Sequence, residues 1–268
     1  MDISATQGEL EAGRGYEALF VPALFAPWTD HVIDGAGVED SAHVLDIACG
    51  SGVLARNALA RSGPSGRVVG IDPAPGMIAA AKEVEPNVEW VLGGAEALPF
   101  DVDTFDCVVS QFGMMFFQDR IKAAGEMYRV TKPGGRLAVA IWNSIDQNPT
   151  YRDIVAVLDE HVGTAAGDAV RVPFCLGNPN EVADILSQAG FDDIVFETKT
   201  EQARFPSSRT MLEVELRGWL PLFDINLSEE EIADVLIKSD AKLSKYAAPS
   251  GEAVFPTSAY IMTAHKPR

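Results

Sequence analysis

Basic residues are scarce in this chain. Only 21 Lys and Arg stand against 39 Asp and Glu in 268 residues, which leaves a net charge of −18. Phosphate contacts supply most non-specific affinity for nucleic acid, so a chain with scattered basic residues and no basic stripe is not expected to act on DNA or RNA. Cysteine is rare too. Cys49, Cys107 and Cys175 lie far apart, with neither a disulfide framework nor zinc-ligand spacing. Long apolar runs are missing: residues 107–118 are uncharged but include Ser, Gln and Gly, and fall short of the ~20 residues that span a bilayer. Met1-Asp2-Ile3-Ser4 lacks a basic region followed by an apolar stretch, so no signal peptide is expected and the expected location is cytoplasmic. The histidines, His31, His43, His161 and His265, are isolated, and no Ser-His-Asp set appears. His31 is a candidate base only if it reaches the mouth of a site. Asp101, Asp103 and Asp106 read as a solvated turn rather than a metal site, so no metal is expected.

What the chain does have is apolar residues, at 47%, enough for one large α/β domain or a domain with a small cap. Its most informative stretch is Val44-Leu45-Asp46-Ile47-Ala48-Cys49-Gly50-Ser51-Gly52. An apolar run ends in an acid and opens into a turn of small residues. A second apolar run, Val68-Val69-Gly70-Ile71, ends in Asp72, 20 residues after Gly52. Such a strand–loop–helix–strand unit holds a nucleoside: small residues let the backbone approach, and the second acid can accept from both ribose hydroxyls. The alternative role for Asp72 is a helix N-cap. A pyrophosphate-binding dinucleotide fingerprint would need glycine at 48, 50 and 53, where this chain has Ala48, Gly50 and Val53.

Strands are predicted at about 43–47, 67–71, 88–92, 105–110, 136–142, 192–204 and 257–265, and helices at about 52–62, from 75 to before Pro86, and at 119–130. Residues 9–38 read as one or two helices interrupted or started by Pro22 and Pro27, and Pro133-Gly134-Gly135 as the turn into the fifth strand. Strands alternating with helices predict a doubly wound, mostly parallel sheet. The rhythm breaks at residues 146–185 and again at 207–247, where an amphipathic helix is predicted over 228–246.

The motifs resemble those of the class I S-adenosylmethionine-dependent methyltransferases, in particular the small-molecule enzymes of the ubiquinone/menaquinone-biosynthesis type, over roughly residues 41–142. The family's first motif is acid-x-Gly-x-Gly-x-Gly, matched here by Asp46, Ala48, Gly50 and Gly52. Ala48 departs from the first glycine. The resemblance implies a Rossmann-like seven-stranded sheet whose last strand runs antiparallel beside the fifth, with S-adenosyl-L-methionine as cofactor and S-adenosyl-L-homocysteine as product. It assigns Asp72 to the ribose and places the adjoining Pro73 at the cofactor. Asp46 either orients the loop or contacts the methionine part through water. Tyr16 closes over the cofactor carboxylate, and Ser110 and Gln111 touch the methionine moiety. Met77 packs on the adenine or in the core.

Leu92-Gly93-Gly94-Ala95-Glu96-Ala97-Leu98-Pro99-Phe100 resembles the family's Gly-Asp-Ala-Glu-x-Leu-Pro-Phe. There the aspartate accepts from the adenine amino group and the next N–H donates to the ring. Gly94 stands at the aspartate's place, Ala95 keeps the N–H, and Glu96 or water is left to replace the lost acceptor. Residues 112–117, with Trp142 and Asn143, either wall an apolar acceptor site or are core.

The resulting expectation is an N-terminal helical lid (1–40), a cofactor-binding α/β core (41–145), a cap insertion (146–185), and the rest of the sheet (186–268) with a second helical cap at 207–247, the insertions covering the carboxyl edge of the sheet. The expected function is methyl transfer to a small, apolar or aromatic molecule, with no assigned catalytic residue and a homodimer as one assembly. The alternatives are an NAD(P)-dependent oxidoreductase and a non-catalytic S-adenosylmethionine-binding protein.

Overall fold

A computed structural model describes residues 5–268. The reading of residues 1–4 as lacking a leader lies outside them. The strands are β1 (His43–Ile47), β2 (Arg67–Asp72), β3 (Glu89–Leu92), β4 (Phe105–Gln111), β5 (Thr131–Trp142), β6 (Asp192–Phe205) and β7 (Ala253–His265). The first five helices are α1 (Gln7–Gly15), α2 (Thr29–Ala36), α3 (Val53–Ser62), α4 (Pro75–Val84) and α5 (Arg120–Val130). They are followed by α6 (Pro149–His161), α7 (Thr164–Arg171), α8 (Pro179–Ala189), α9 (Ser208–Val214) and α10 (Glu229–Leu243). The chain divides into two compact units. One holds the described residues through Trp142 with Asn178–Lys199 and Ala259–Arg268; the other holds Asn143–Gly177 and Thr200–Ser258.

The strands form one sheet in the order β3-β2-β1-β4-β5-β7-β6. β1 pairs in parallel with β2 and β4, β2 with β3, and β4 with β5. β7 runs antiparallel to β5, from Arg136 opposite His265 to Trp142 opposite Ala259. This is the mostly parallel, doubly wound sheet that the alternating elements predict, with the antiparallel last strand that the resemblance implies. Val44, Leu45, Val108, Val109 and Val139 on the central strands are fully buried, as strands covered on both faces require. Because the strands are parallel, the ends of β1 to β4 share one edge, where ligands bind in open α/β folds.

Local chemistry explains the element boundaries. Gly52, with φ of +91°, starts α3, and Pro75 at the first turn starts α4. Asp119 caps α5 by accepting from the Lys122 N–H at 2.9 Å.

Three boundaries differ from expectation. β5 begins at Thr131, and its register jumps so that Thr131 faces Phe105 while Arg136 faces Cys107. Pro133-Gly134-Gly135 is therefore a bulge inside the strand, with Gly134 at φ +79°, rather than a turn before it. β7 starts at Ala253, four residues before the expected 257. Between α1 and α2 the chain forms a π-helix, Tyr16–Phe25, with Pro22 inside it, and a 3-10 turn, Ala26–Trp28. Pro22 has no N–H for the i−4 carbonyl, and the wider turn accommodates its ring.

In the second unit, α10 packs on α6 and α9. Its start is fixed by a capping box in which Ser228 and Glu231 exchange hydrogen bonds. Asn148 ties the unit's ends together: its Oδ1 accepts from the Ser258 N–H at 2.9 Å and its Nδ2 donates to the Ser258 carbonyl at 3.2 Å. Among the described residues no helix is long and apolar enough to cross a membrane.

Candidate functional site

The loop after β1 is shaped by left-handed residues at three alternate positions, Ala48 (φ +57°), Gly50 (+54°) and Gly52 (+91°). Its anchor is Asp72. One Asp72 oxygen accepts from the Gly50 N–H and the other from the Ala74 N–H, both at 2.9 Å. The N-cap position of α4 is Ala74, so Asp72 binds the neighbouring loop rather than capping that helix. Each oxygen keeps a lone pair for a further donor. Gly52 and Gly70 serve Trp90: a β-carbon on either would come within 2.4 Å of its indole ring, which lies beneath the loop.

Two cavities open on this edge. The smaller, about 30 Å³, is lined by Tyr16, Phe25, Asp46, Ala48, Cys49, Gly50, Ser51, Val53, Leu54 and Gln111. The larger, about 390 Å³, is lined by Ala48, Asp72, Pro73, Gly93, Gly94, Ala95, Glu96, Gly113, Phe116, Phe117 and Gln118. Ala48 belongs to both. Of the residues expected at the site, Tyr16, Asp46, Ala48, Gly50 and Gln111 meet at the small cavity, and Asp72, Pro73, Gly94, Ala95 and Glu96 join Ala48 at the large one. Gly52, Met77 and Ser110 line neither. Ser51, Phe25 and Gln118 do, and were not expected there, while Gly113, Phe116 and Phe117 come from the 112–117 stretch read as an acceptor wall or core. Ser51 lies within the motif itself, but Phe25 is 86 residues from Gln111, whose Nε2 donates to its carbonyl at 3.0 Å, and no local pattern marks that contact.

The small cavity has unusual electrostatics. Asp46 is 1% exposed, and among the described residues no donor reaches either carboxylate oxygen with hydrogen-bond geometry, the Ala55 N–H being the backbone group that acts on it. Burial pushes its pKa well up, with the neighbouring Asp72 adding to the rise and the Ala55 N–H and Arg56 opposing it. Gln111 Oε1 and Ser51 Oγ are likewise buried without partners. Burial raises the pKa of Asp72 as well, against the opposing N–H groups of Ala74 and Gly50. The Cys49 thiol is held far above its ordinary pKa by burial and by Asp46 and Asp72, which makes it a poor nucleophile. No Lys or Arg lines either cavity.

Over the small cavity lies an aromatic stack. Tyr16 faces Phe20 and Phe25 with ring centroids 5.6 and 5.4 Å apart, and Phe25 reaches Phe112 at 6.0 Å. Phe112, itself at φ +55°, stacks on Trp142 at 3.7 Å and 4°. The π-helix is held down by Glu17, which accepts from Arg56 at 2.7 Å while Arg56 also donates to the Ser51 carbonyl.

Other candidates fall elsewhere. His31 lies in a separate cleft with Asp34, Glu197, Lys199 and Thr263, away from both cavities. Asp106 accepts from Lys132 and the His43 N–H, and Asp103 pairs with Lys266 at 2.7 Å.

The donor set fits the expected cofactor. Two unpartnered carboxylate oxygens and an amide oxygen suit an ammonium group, Asp72 suits a ribose, and the left-handed loop lets backbone approach. Comparison with known proteins agrees. Residues 44–135 match the family described as "Methyltransferase domain", in line with the resemblance carried by Asp46, Gly50, Gly52 and Asp72. The ubiquinone/menaquinone biosynthesis C-methyltransferase UbiE of Enterobacter sp. (strain 638) is 43% identical over 118 residues, 42% of this chain and 47% of that protein. The chloroplastic 2-phytyl-1,4-beta-naphthoquinone methyltransferase of Arabidopsis thaliana is 34% identical over 131 residues, 46% of this chain and 50% of that one. The chain thus spans about half the length of the curated relatives it matches. Among solved structures, phosphoethanolamine N-methyltransferase 2 of Haemonchus contortus, in complex with S-adenosyl-L-methionine, shares the fold with TM-score 0.59 and 20% identity, covering 98% of this chain and 58% of that one.

Proposed function

We propose that this chain is an S-adenosyl-L-methionine-dependent methyltransferase acting on a small, apolar or aromatic acceptor. The observation that carries the reading is Asp46, a buried carboxylate without a hydrogen-bond partner, facing a cavity shared with the unpartnered Oε1 of Gln111. A buried charge without a partner is costly, and a cation repays it. The methionine ammonium is such a cation. A dinucleotide pyrophosphate would instead bring negative charge to a cavity edge that holds Asp46 and Asp72 and no Lys or Arg, so the oxidoreductase alternative is disfavoured.

In this reading Asp46 and Gln111 hold the ammonium, Ser51 and Tyr16 lie beside the carboxylate, and Asp72 accepts from the ribose. When bound, the cofactor supplies an electrophilic sulfonium methyl for in-line transfer to the acceptor. The protein's part is alignment and exclusion of water. The aromatic stack over the small cavity excludes water, and Phe116 and Phe117 present an apolar wall at the large one. The matched relatives are named for quinone methylation, which supports an aromatic ring as acceptor.

The test is thermal unfolding with S-adenosylhomocysteine, S-adenosylmethionine, NADH and NADPH in parallel. At 100-fold excess over Kd, ligand binding stabilises by ~2.7 kcal/mol, or roughly 5–10 °C for a chain of this size. A shift with the adenosyl compounds alone is expected. A shift with the dinucleotides alone would overturn the reading. Release of S-adenosylhomocysteine that depends on added acceptor would then separate an enzyme from a binding protein.

A further inference from the structure

The large cavity contains a second carboxylate whose bonds are only half used. Glu96 Oε1 accepts from the N–H groups of Gln118 at 2.9 Å and Asp119 at 3.5 Å, which fixes the side chain to the turn before α5. Among the described residues no group donates to Oε2. That oxygen lies 3.2 Å from where a β-carbon on Gly94 would stand, so it sits directly beside the glycine. The next residue, Ala95, lines the same cavity, and among the described residues no group accepts from its N–H. One N–H donor and one carboxylate acceptor on adjacent residues therefore border the cavity that Asp72 also borders.

A donor beside an acceptor reads a nucleobase edge that presents the complement: an unprotonated ring nitrogen next to an exocyclic amino group. Adenine presents that edge. Guanine and hypoxanthine present a ring N–H beside a carbonyl, which would set donor against donor and acceptor against acceptor.

We infer that Glu96, through Oε2, is the acceptor for the adenine amino group and sets base specificity at this site, in place of any side chain at position 94. The inference rests on the adenosyl cofactor reading above. It requires the Oε1 bonds to the 118–119 turn, because they hold the carboxylate in place without using the oxygen that faces Gly94.

The test compares binding of S-adenosylhomocysteine with its analogue lacking the 6-amino group, by calorimetry, in the native chain and in Glu96→Gln. The glutamine keeps a carbonyl oxygen for the Gln118 N–H and turns an N–H2 toward the base. The native chain should prefer the amino-bearing ligand by ~10-fold or more, as expected for a hydrogen bond to a charged group. Glu96→Gln should lose that preference by weakening S-adenosylhomocysteine ~10-fold while leaving the deamino analogue within ~3-fold. A substitution that weakens both ligands equally would show that Glu96 only supports the turn, and would overturn the inference. So would a preference that survives in Glu96→Gln. Binding of neither ligand by the native chain would remove the adenosyl reading itself, and the inference with it.

Discussion

The methyl group of Ala48 lies where a side chain at Gly113 would have to stand: a β-carbon on Gly113 would come within 2.5 Å of it. Ala48 holds a left-handed conformation at φ +57°, whereas Gly113, at φ −102°, has a backbone that any residue could adopt. The loop after β1 and the loop after β4 are thus matched in size at one point, and both residues border the large cavity. Gly113→Ala should destabilise by ~1–3 kcal/mol through overpacking. Ala48→Gly alone should stabilise by ~0.5–1 kcal/mol by relieving the left-handed backbone. In the double variant most of the Gly113→Ala cost should disappear, since the methyl it meets is gone. Urea denaturation of the four proteins reads this coupling directly, and strictly additive effects would show that the two residues do not share the space.

Asp46 links stability to pH and to the cofactor. A carboxyl whose folded pKa lies above its unfolded value carries more protons folded than unfolded. Stability is then fully present below the unfolded value and declines as pH rises toward the folded one. Asp46 and Asp72 are both raised by burial, so the ligand-free chain should lose stability as pH climbs above the ordinary carboxylate range. An ammonium beside Asp46 offsets that loss, so ligand-induced stabilisation should grow with pH over the same interval. Asp46→Asn should flatten both trends, stabilise the ligand-free chain by ~1–2 kcal/mol at neutral pH, and weaken S-adenosylhomocysteine ~10-fold or more. Melting curves with and without ligand at several pH values check each part.

Glu215 makes the same argument in the second unit, without a ligand. It is 6% exposed on the π-helical turn Glu215–Trp219, and burial raises its pKa from 4.5 to about 8. The neighbouring Tyr151 is buried too, its own pKa raised first by burial and then by Glu215. Stability should fall between pH 4.5 and about 8 as this carboxyl is forced to ionise. Glu215→Gln should remove that slope and stabilise by roughly 2–4 kcal/mol at pH 9. If the native and substituted chains keep the same pH profile, the group is not ionising in a dry environment.

How much of this was legible in the residues depends on how local each feature is. The strand–loop–helix–strand unit around Asp46 and Asp72 was readable because period, turn residues and acids fall within a short stretch, and the mostly parallel sheet followed from alternating elements. The bulge at residues 133–135 was not, because Pro and Gly mark a turn and a bulge alike; only pairing with β4 separates them. The pairing of Ala48 with Gly113, the Phe25 carbonyl against Gln111, and Trp90 beneath Gly52 and Gly70 are contacts between distant segments, and side-chain type alone does not announce them. Gly94 shows the opposite case. The resemblance marked a missing acceptor at Gly94, and Glu96 Oε2 lies 3.2 Å from where a β-carbon there would stand.

The small cavity is a kinetic feature as well as a binding one. At about 30 Å³ it has room for about one water, far less than the amino-acid end of an adenosyl cofactor. The π-helix Tyr16–Phe25 must therefore shift before that end can enter. It is held by the Glu17–Arg56 pair at 2.7 Å, with both side chains about one-fifth exposed, and by Gln111 on the Phe25 carbonyl. Binding that waits for such a shift has a rate that levels off as ligand concentration rises, at the opening rate of the helix. Stopped-flow tryptophan fluorescence with S-adenosylhomocysteine should show that plateau. Glu17→Gln weakens the pair by ~0.5–1 kcal/mol, so it should lift the plateau about 2–5-fold. A rate that stays linear in ligand up to the instrument's limit, or a plateau unmoved by Glu17→Gln, would place the cofactor's entry somewhere other than beneath this helix.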